Sequence, residues 1–173
     1  MEKLITTICF IFVIFLTSFG NVYSVEWDCA STTNTGTFTR STNCTITGNN
    51  HVVVENTLDI VGSSTDMNNL TTITAATSKR HFYLNHANAK LILRYLKLVG
   101  GNVSGYSSDP ARRGGSIYID ETNGGNLYLN DTILYNNRAV DGGAVYARVS
   151  NNVVMHLYRT WITNNLALTT GGG

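Results

Sequence analysis

A 28-residue repeat near the C-terminus constrains this chain more than any other feature. Gly114-Gly115-Ser116-Ile117-Tyr118-Ile119 returns as Gly142-Gly143-Ala144-Val145-Tyr146-Ala147, and Gly171-Gly172-Gly173 starts a third copy. Laid over one another without a gap, residues 114–141 and 142–169 share nine identities: the two glycines, Tyr118/Tyr146, Asn123/Asn151, Leu129/Leu157, Thr132/Thr160, Asn136/Asn164, Asn137/Asn165 and Ala139/Ala167. A fixed period of this length marks stacked units, none of which buries a core alone.

Between positions 45 and 99, short β-branched or aromatic runs alternate with Asn, Gly, Ser and Thr turns: Thr45 to Thr47, His51 to Val54, Thr57 to Val61, Leu70 to Ala75, His81 to Leu84 and Lys90 to Val99. No 3.6-residue apolar period is sustained outside the extreme N-terminus, so the chain reads as all-β. Short strands at this spacing suit a sandwich, a barrel or a solenoid, and the repeat favours the solenoid. Each coil of a solenoid must present the same turn at the same azimuth as the coil below, whereas sandwich strands carry no such obligation. A coil of about 28 residues holds about three short strands and their corners, the section of a right-handed parallel β-helix built as a single-stranded solenoid.

The register adds a separate argument. At an offset of 28, Asp120 falls over Arg148 and Asp131 over Arg159, which places opposite charges on adjacent strands. Ile117 over Val145, Leu127 over Met155 and Leu129 over Leu157 set apolar on apolar, as an interior stack requires. Gly114-Gly115 and Gly142-Gly143 suit a corner with positive φ or a close backbone approach. Asn136-Asn137 and Asn164-Asn165 suit a second corner, where Asn tolerates the left-handed region and identical side chains can bond from coil to coil. These are structural assignments.

Upstream the period loosens. Phe82-Tyr83-Leu84 matches Ile117-Tyr118-Ile119, and Leu91 to Val99 matches Leu127 to Tyr135, at a spacing near 35. The surplus falls in Asn102 to Arg113, a Gly, Ser and Asp-Pro segment expected to form an outward loop. The polar stretch before position 46 is expected to be an N-terminal cap over residues 25–45, with coils over 46–173. The run ends on Gly171-Gly172-Gly173 with no visible cap, so the sequence is expected to be truncated at the C-terminus, with stacking through that open end as the rival expectation.

Leu4 to Phe19 form a nearly unbroken apolar run behind Lys3, followed by Val22-Tyr23-Ser24. This is the pattern of a secretory signal over residues 1–24, cut after Ser24, and it falls short of the roughly 20 apolar residues that span a bilayer. Cleavage removes Cys9 and leaves Cys29 and Cys44, an even count expected to form one disulfide in an exported chain. Four sequons, at Asn43, Asn69, Asn102 and Asn130, are candidate N-glycosylation sites. The balance of 12 basic and 11 acidic residues gives no electrostatic footprint for a nucleic-acid partner.

The step Gly142-Gly143-Ala144-Val145-Tyr146 with a downstream aromatic-x-x-Asn step, Trp161-Ile162-Thr163-Asn164, resembles the repeats of chlamydial-type polymorphic outer membrane proteins and of right-handed β-helix proteins of the pectin-lyase-like superfamily. The other copy, Ile133-Leu134-Tyr135-Asn136, departs from it at the aromatic. The resemblance covers about residues 81–173. It implies a β-helix, and a function among adhesins, polysaccharide lyases and hydrolases, or inactive scaffolds.

A β-helix enzyme acting on acidic polysaccharide should cluster carboxylates with Arg or Lys on one outer face. The candidates are Asp109, Arg112, Arg113, Asp120, Glu121, Asp131 and Asp141, of which Asp109, Arg112 and Arg113 share the long loop and form the best catalytic guess. Asp120 and Asp131 already have Arg partners in the register. The Asn-Thr-Asp, Asp-Asp and His-Gly steps of galacturonase-type enzymes are absent, and no spacing of His, Cys, Asp or Glu implies a cofactor or metal. His81 and His86 fall on opposite strand faces and are expected to be structural, as is His156. Tyr118 and Tyr146 share an azimuth and would form an exposed stripe able to grip a sugar or a protein, or merely face solvent. The expected function is therefore a secreted or cell-surface scaffold that binds glycans or proteins without catalysis. The alternative is the N-terminal part of a carbohydrate-active β-helix enzyme.

Overall fold

The structure is a computed structural model that describes residues 24–48, 50–108, 111–120, 122, 124–148 and 153–171. The expected signal segment therefore lies, but for Ser24, outside the described residues, as do Asp109, Glu121, Gly172 and Gly173. The described chain is all-strand. In chain order the strands are β1 (Gly36–Arg40), β2 (Cys44–Thr45) and β3 (Val52–Val54); β4 (Thr57–Gly62), β5 (Thr71–Thr74) and β6 (Phe82–Leu84); β7 (Lys90–Arg94), β8 (Leu96–Val99) and β9 (Ile117–Ile119); β10 (Asn126–Asn130), β11 (Ile133–Tyr135), β12 (Arg138–Asp141) and β13 (Val145–Ala147); and β14 (Met155–Tyr158), β15 (Trp161–Thr163) and β16 (Leu166–Thr170). Three strands recur per pass at first, and a fourth joins in the later passes.

The chain visits its sheets in a fixed rotation. One sheet runs β1-β4-β7-β10-β14, a second β2-β5-β8-β11-β15, a third β3-β6-β9-β13, and β12 pairs with β16. Every pairing between these strands is parallel. Parallel neighbours need a long crossover, and here the crossover is the passage through the other sheets. This arrangement is compatible with a parallel β-helix.

Alternation along each strand sends every second side chain inward. Leu58, Leu91 and Leu127 align in one column and Ile60, Leu93 and Leu129 in the next, all fully buried. Val52, Phe82 and Ile117 form a third column, Val54, Leu84 and Ile119 a fourth, and with Ile73, Leu96, Leu98 and Leu134 they make a single apolar cluster. Each such side chain contributes roughly 1.5–3 kcal/mol by leaving water. The columns continue to Met155 and Leu157, but there the side chains are exposed, at 40% and 43%.

Three corners recur at fixed register positions, each with backbone in the left-handed region. The first holds Tyr95, Asp131 and Arg159 (φ 55°, 49° and 46°), the second Gly100, Asn136 and Asn164 (78°, 54° and 56°), and the third Gly114, Gly142 and Gly171 (62°, 60° and 70°). The run Lys90 to Val99 is accordingly two strands, broken at Tyr95. Asp131 and Arg159 do pair, with Arg159 Nε 2.5 Å from the carboxylate, but at a corner just outside β10 and β14 rather than on the strands themselves. Gly115 and Gly143 follow the third corner for another reason: a Cβ on Gly115 would lie 2.1 Å from the Gly143 carbonyl oxygen.

The two asparagines of each pair divide the labour. Asn136 and Asn164 take the left-handed corner, while Asn137 and Asn165 build the ladder. Asn137 Nδ2 donates to Asn165 Oδ1 at 2.9 Å, and Asn137 Oδ1 accepts from the Gly101 amide of the preceding pass at 2.9 Å. Thr132 and Thr160 act in parallel, each donating its hydroxyl to a carbonyl one pass earlier, Leu93 and Leu129.

Residues 24–31 run beside the first strands. The Trp27 amide donates to Thr39 and the Ser31 amide to Thr47, and a disulfide joins Cys29 to Cys44. The fully buried Trp27 ring stacks on Phe82 at 6.1 Å and closes that end of the core. Residues 25–45 also contain β1 and β2, whose register continues into β4 and β5.

Candidate functional site

The outer face of the third sheet carries an aromatic column. Outward positions of β6, β9 and β13 bring Tyr83, Tyr118 and Tyr146 into register, with His51 beside Tyr83. Tyr83 and Tyr118 stack at 5.1 Å between centroids and 13° between planes, and Tyr146 follows at 5.8 Å. The expected exposed stripe is corrected here: Tyr118 is 1% exposed. It is covered because the long loop between β8 and β9 folds back across the sheet, pinned by the Asn102 amide to Lys79 and the Val103 amide to Arg138.

Under that loop lies a cavity of about 290 Å³, lined by Asn50 and His51 from before β3, Lys79 and Arg80 from before β6, Tyr83 and Tyr118 from the sheet, and Val103, Tyr106 and Ala111 from the loop. The guanidinium of Arg80 sits 4.8 Å from the Tyr118 centroid and 5.8 Å from that of Tyr83, a cation–π arrangement. One terminal nitrogen donates to the Ala111 carbonyl. Lys79 Nζ donates to the Tyr106 hydroxyl at 2.8 Å. The Tyr83 hydroxyl donates to Asp120 at 2.7 Å.

Burial sets the electrostatics of the cavity. It draws Arg80 down to about 10, against which the neighbouring tyrosines act, so Arg80 is charged at neutral pH. Burial, helped by Arg80 and Lys79, lowers His51 to about 4 and leaves it neutral. Burial and the Asp120 bond push the Tyr83 phenol upward, away from any role as a base. Deeper in the core, burial lowers His81 to about 4. Its Nε2 faces the Ile73 carbonyl at 3.1 Å and must donate there, so Nδ1 accepts from the Ser116 hydroxyl at 3.0 Å. His81 is thus a neutral tie between β5 and the segment that enters β9, and His86 and His156 lie at the surface.

Of the loop candidates, Asp109 lies outside the described residues, and Arg112 and Arg113 both lie within electrostatic reach of Asp141. Arg113 is buried, with its guanidinium 4.9 Å from the Tyr146 centroid. Asp141 accepts from the Thr169 and Thr170 hydroxyls; the Thr169 bond first, then Thr170, Arg112 and Arg113, hold it below the usual carboxylate range. Asp120 accepts from Tyr83 and from the Thr122 amide, and the β9–β13 register sets it one step past the Ile119/Ala147 pair, opposite Arg148. Among the sequon residues, Asn43 and Asn69 line a second, polar cavity of about 350 Å³ beside β5, and the Asn43 side-chain oxygen accepts from the Thr72 amide. Asn102 is exposed and Asn130 half-buried. Among the described residues no group of three or more His, Cys, Asp or Glu could hold a metal ion, and no helix is long and apolar enough to cross a membrane.

Sequence reasoning missed Lys79, Arg80 and Tyr106. The signal was present: Lys79-Arg80 is one of two adjacent basic pairs, the other being Arg112-Arg113, and it directly precedes the segment that aligns Tyr83 with Tyr118. Comparison with protein-family models, with curated proteins and with solved structures finds no match to this chain.

Proposed function

We propose that this protein is an exported right-handed parallel β-helix, of the pectin-lyase-like type that its repeats resemble, which acts as a scaffold and binds an extracellular glycan in the cavity beneath the 100–116 loop. The fixed rotation through three parallel sheets and the continuous inward columns support the β-helix. The observation that carries the binding role is the cavity itself. It is a concave, aromatic-walled site with a few convergent polar groups, on a rigid sheet and roofed by the longest insertion between matched strands.

Ala111 stands at the loop side of the cavity and is half-buried, so Ala111→Trp fills the space with little demand on the core. On a glycan array the exported protein binds a defined set of glycans and Ala111→Trp loses them. Equal binding by both proteins moves the site elsewhere, and capture of proteins but no glycan makes the partner a protein. Release of reducing ends or unsaturated sugars by the purified protein would turn the scaffold into an enzyme. Export itself is checked by N-terminal sequencing of protein recovered from the medium, which should begin at Val25.

A further inference from the structure

The four sequons hold unlike places in the fold. Asn130 ends β10 half-buried, and the register sets it between Arg94 of β7 and Tyr158 of β14. Asn43, Asn69 and Asn102 are exposed and lie outside the strands. Asn102 stands apart at the start of the long loop, its side-chain oxygen accepting from the amide and the hydroxyl of Ser104 at 3.1 and 2.8 Å. Asn43 and Asn69 occupy the same connection in successive passes, from β1 to β2 and from β4 to β5, and both line the polar cavity of about 350 Å³.

One wall of that cavity is the connection from β4 to β5, folded on itself where the Asn68 and Asn69 amides donate to the Asp66 side chain and carbonyl. The other is the outer face of the second sheet, where Thr72, Lys97 and Ile133 align. Asn43 is held to this face by its side-chain oxygen, which accepts from the Thr72 amide at 2.8 Å. Hydrogen bonding among the described residues engages neither the Asn43 side-chain nitrogen nor the Asn69 side chain, so both nitrogens are open to substitution at the rim. Ser64 and Asn68 add a hydroxyl and a carboxamide, and Ile133 an apolar patch, a lining that suits a neutral ring bearing hydroxyls and an acetamide. Exposed polar groups hold a free sugar weakly, because water competes for every bond. A sugar tethered at the rim is held far better, since the tether supplies an effective concentration of order millimolar.

We propose that Asn43 and Asn69 are modification sites, each carrying an N-linked glycan, and that the innermost acetamido sugar of these chains seats in the cavity they share. This rests on the export reading above and is independent of what the aromatic cavity binds. The donor is an oligosaccharide carried on a polyisoprenyl diphosphate in the export compartment. The asparagine Nδ2 forms a bond to the anomeric carbon, the bond from that carbon to the diphosphate oxygen breaks, the diphosphate leaves with the electron pair, and the amide gives up one proton to solvent. The attached sugars would then cover Lys97 and Ile133 on the outer face of the second sheet.

The test is glycopeptide mass spectrometry on protein recovered from the medium of the cells that make it. Peptides holding Asn43 and Asn69 should be found mainly in the glycosylated form. Thr45→Ala, at an exposed position, removes the first sequon while keeping the Asn43 bond to Thr72, and Asn69→Gln removes the second; each should lower the intact mass by one glycan. Seating is read with a peptide N-glycosidase. A sugar that leaves the cavity about a tenth of the time should be released about tenfold more slowly from the native protein than after denaturation. Equal rates before and after denaturation overturn the seat. Protein that is exported and begins at Val25 but carries both asparagines bare overturns the modification and leaves export standing. Protein retained in the cell with its first 24 residues uncut and no glycan overturns both.

Discussion

The last two passes of the chain through its sheets and the pass before them use one strand register to different ends. Between Gly114 and Gly171 the pairings of β9 with β13, β10 with β14 and β11 with β15 are all offset by 28 residues, and the recurring side chains serve the backbone: left-handed corners, the Asn137–Asn165 ladder, and the Thr132 and Thr160 hydroxyls. One pass earlier, β6 pairs with β9 at an offset of 35 and β7 with β10 at 36. The added residues leave the sheet, cross its outer face and roof the cavity. Where the period is strict, side chains are committed to architecture; where it widens, they are released to line the cavity.

The sharpest way to break this contrast is to place the same substitution in both regions. Gly115→Ala drives a Cβ to within 2.1 Å of the Gly143 carbonyl and 2.7 Å of the Arg138 amide, neither of which can move without parting the coils. We expect a loss of about 4 kcal/mol or failure to fold, read by denaturant melts and expression. Gly105→Ala, in the loop, meets nothing within 4 Å and should change stability by less than about 1 kcal/mol, in the stabilising direction. Similar costs at both sites would dissolve the distinction.

The N-terminal end offers the next largest effect. Replacing Cys29 and Cys44 together by Ala opens a 15-residue separation and should lower stability by about 3 kcal/mol. Exposure of Trp27, read by fluorescence quenching, should accompany that loss. An unchanged melt would show that the Trp27 stack on Phe82 closes the core by itself.

A smaller effect lies in acid. His81 has a folded value of about 4 against an ordinary value of 6.5, so the unfolded chain binds its proton first as pH falls. Its stabilising contribution is whole above pH 6.5 and is lost as pH drops toward 4. Relative to neutral pH the loss at pH 5 should be about 2 kcal/mol from this group. His81→Gln, which keeps a donor toward Ile73, should flatten that slope even if it melts lower overall. A slope that persists in His81→Gln would assign the acid sensitivity elsewhere.

Much of the scaffold is legible in the amino-acid sequence. The 28-residue identities pair Leu127 with Met155 and Ile117 with Val145 in the positions observed, and the looser match of Phe82-Tyr83-Leu84 to Ile117-Tyr118-Ile119 is the register of β6 and β9. These survive because periodic packing writes itself into periodic sequence. The break at Tyr95 did not, since nothing in Lys90 to Val99 marks a left-handed residue other than its position above Asp131 and Arg159. The cavity was the least legible part. Lys79, Arg80, Tyr106 and Ala111 are brought together by a loop whose path follows from tertiary contacts, and burial of Tyr118 depends on that same path.

The two asparagine roles point to a property of another kind. A corner set by one residue in the left-handed region, followed by one bonded to the neighbouring pass, fixes where the chain leaves the second sheet whatever length of chain follows. Gly100 and Gly101 hold these two places ahead of the long loop, as Asn136 and Asn137 do ahead of β12. Insertion length is thereby uncoupled from strand alignment. A loop of different length at that edge leaves the strands that follow in register, as the pairing of β9 with β6 and of β13 with β9 shows.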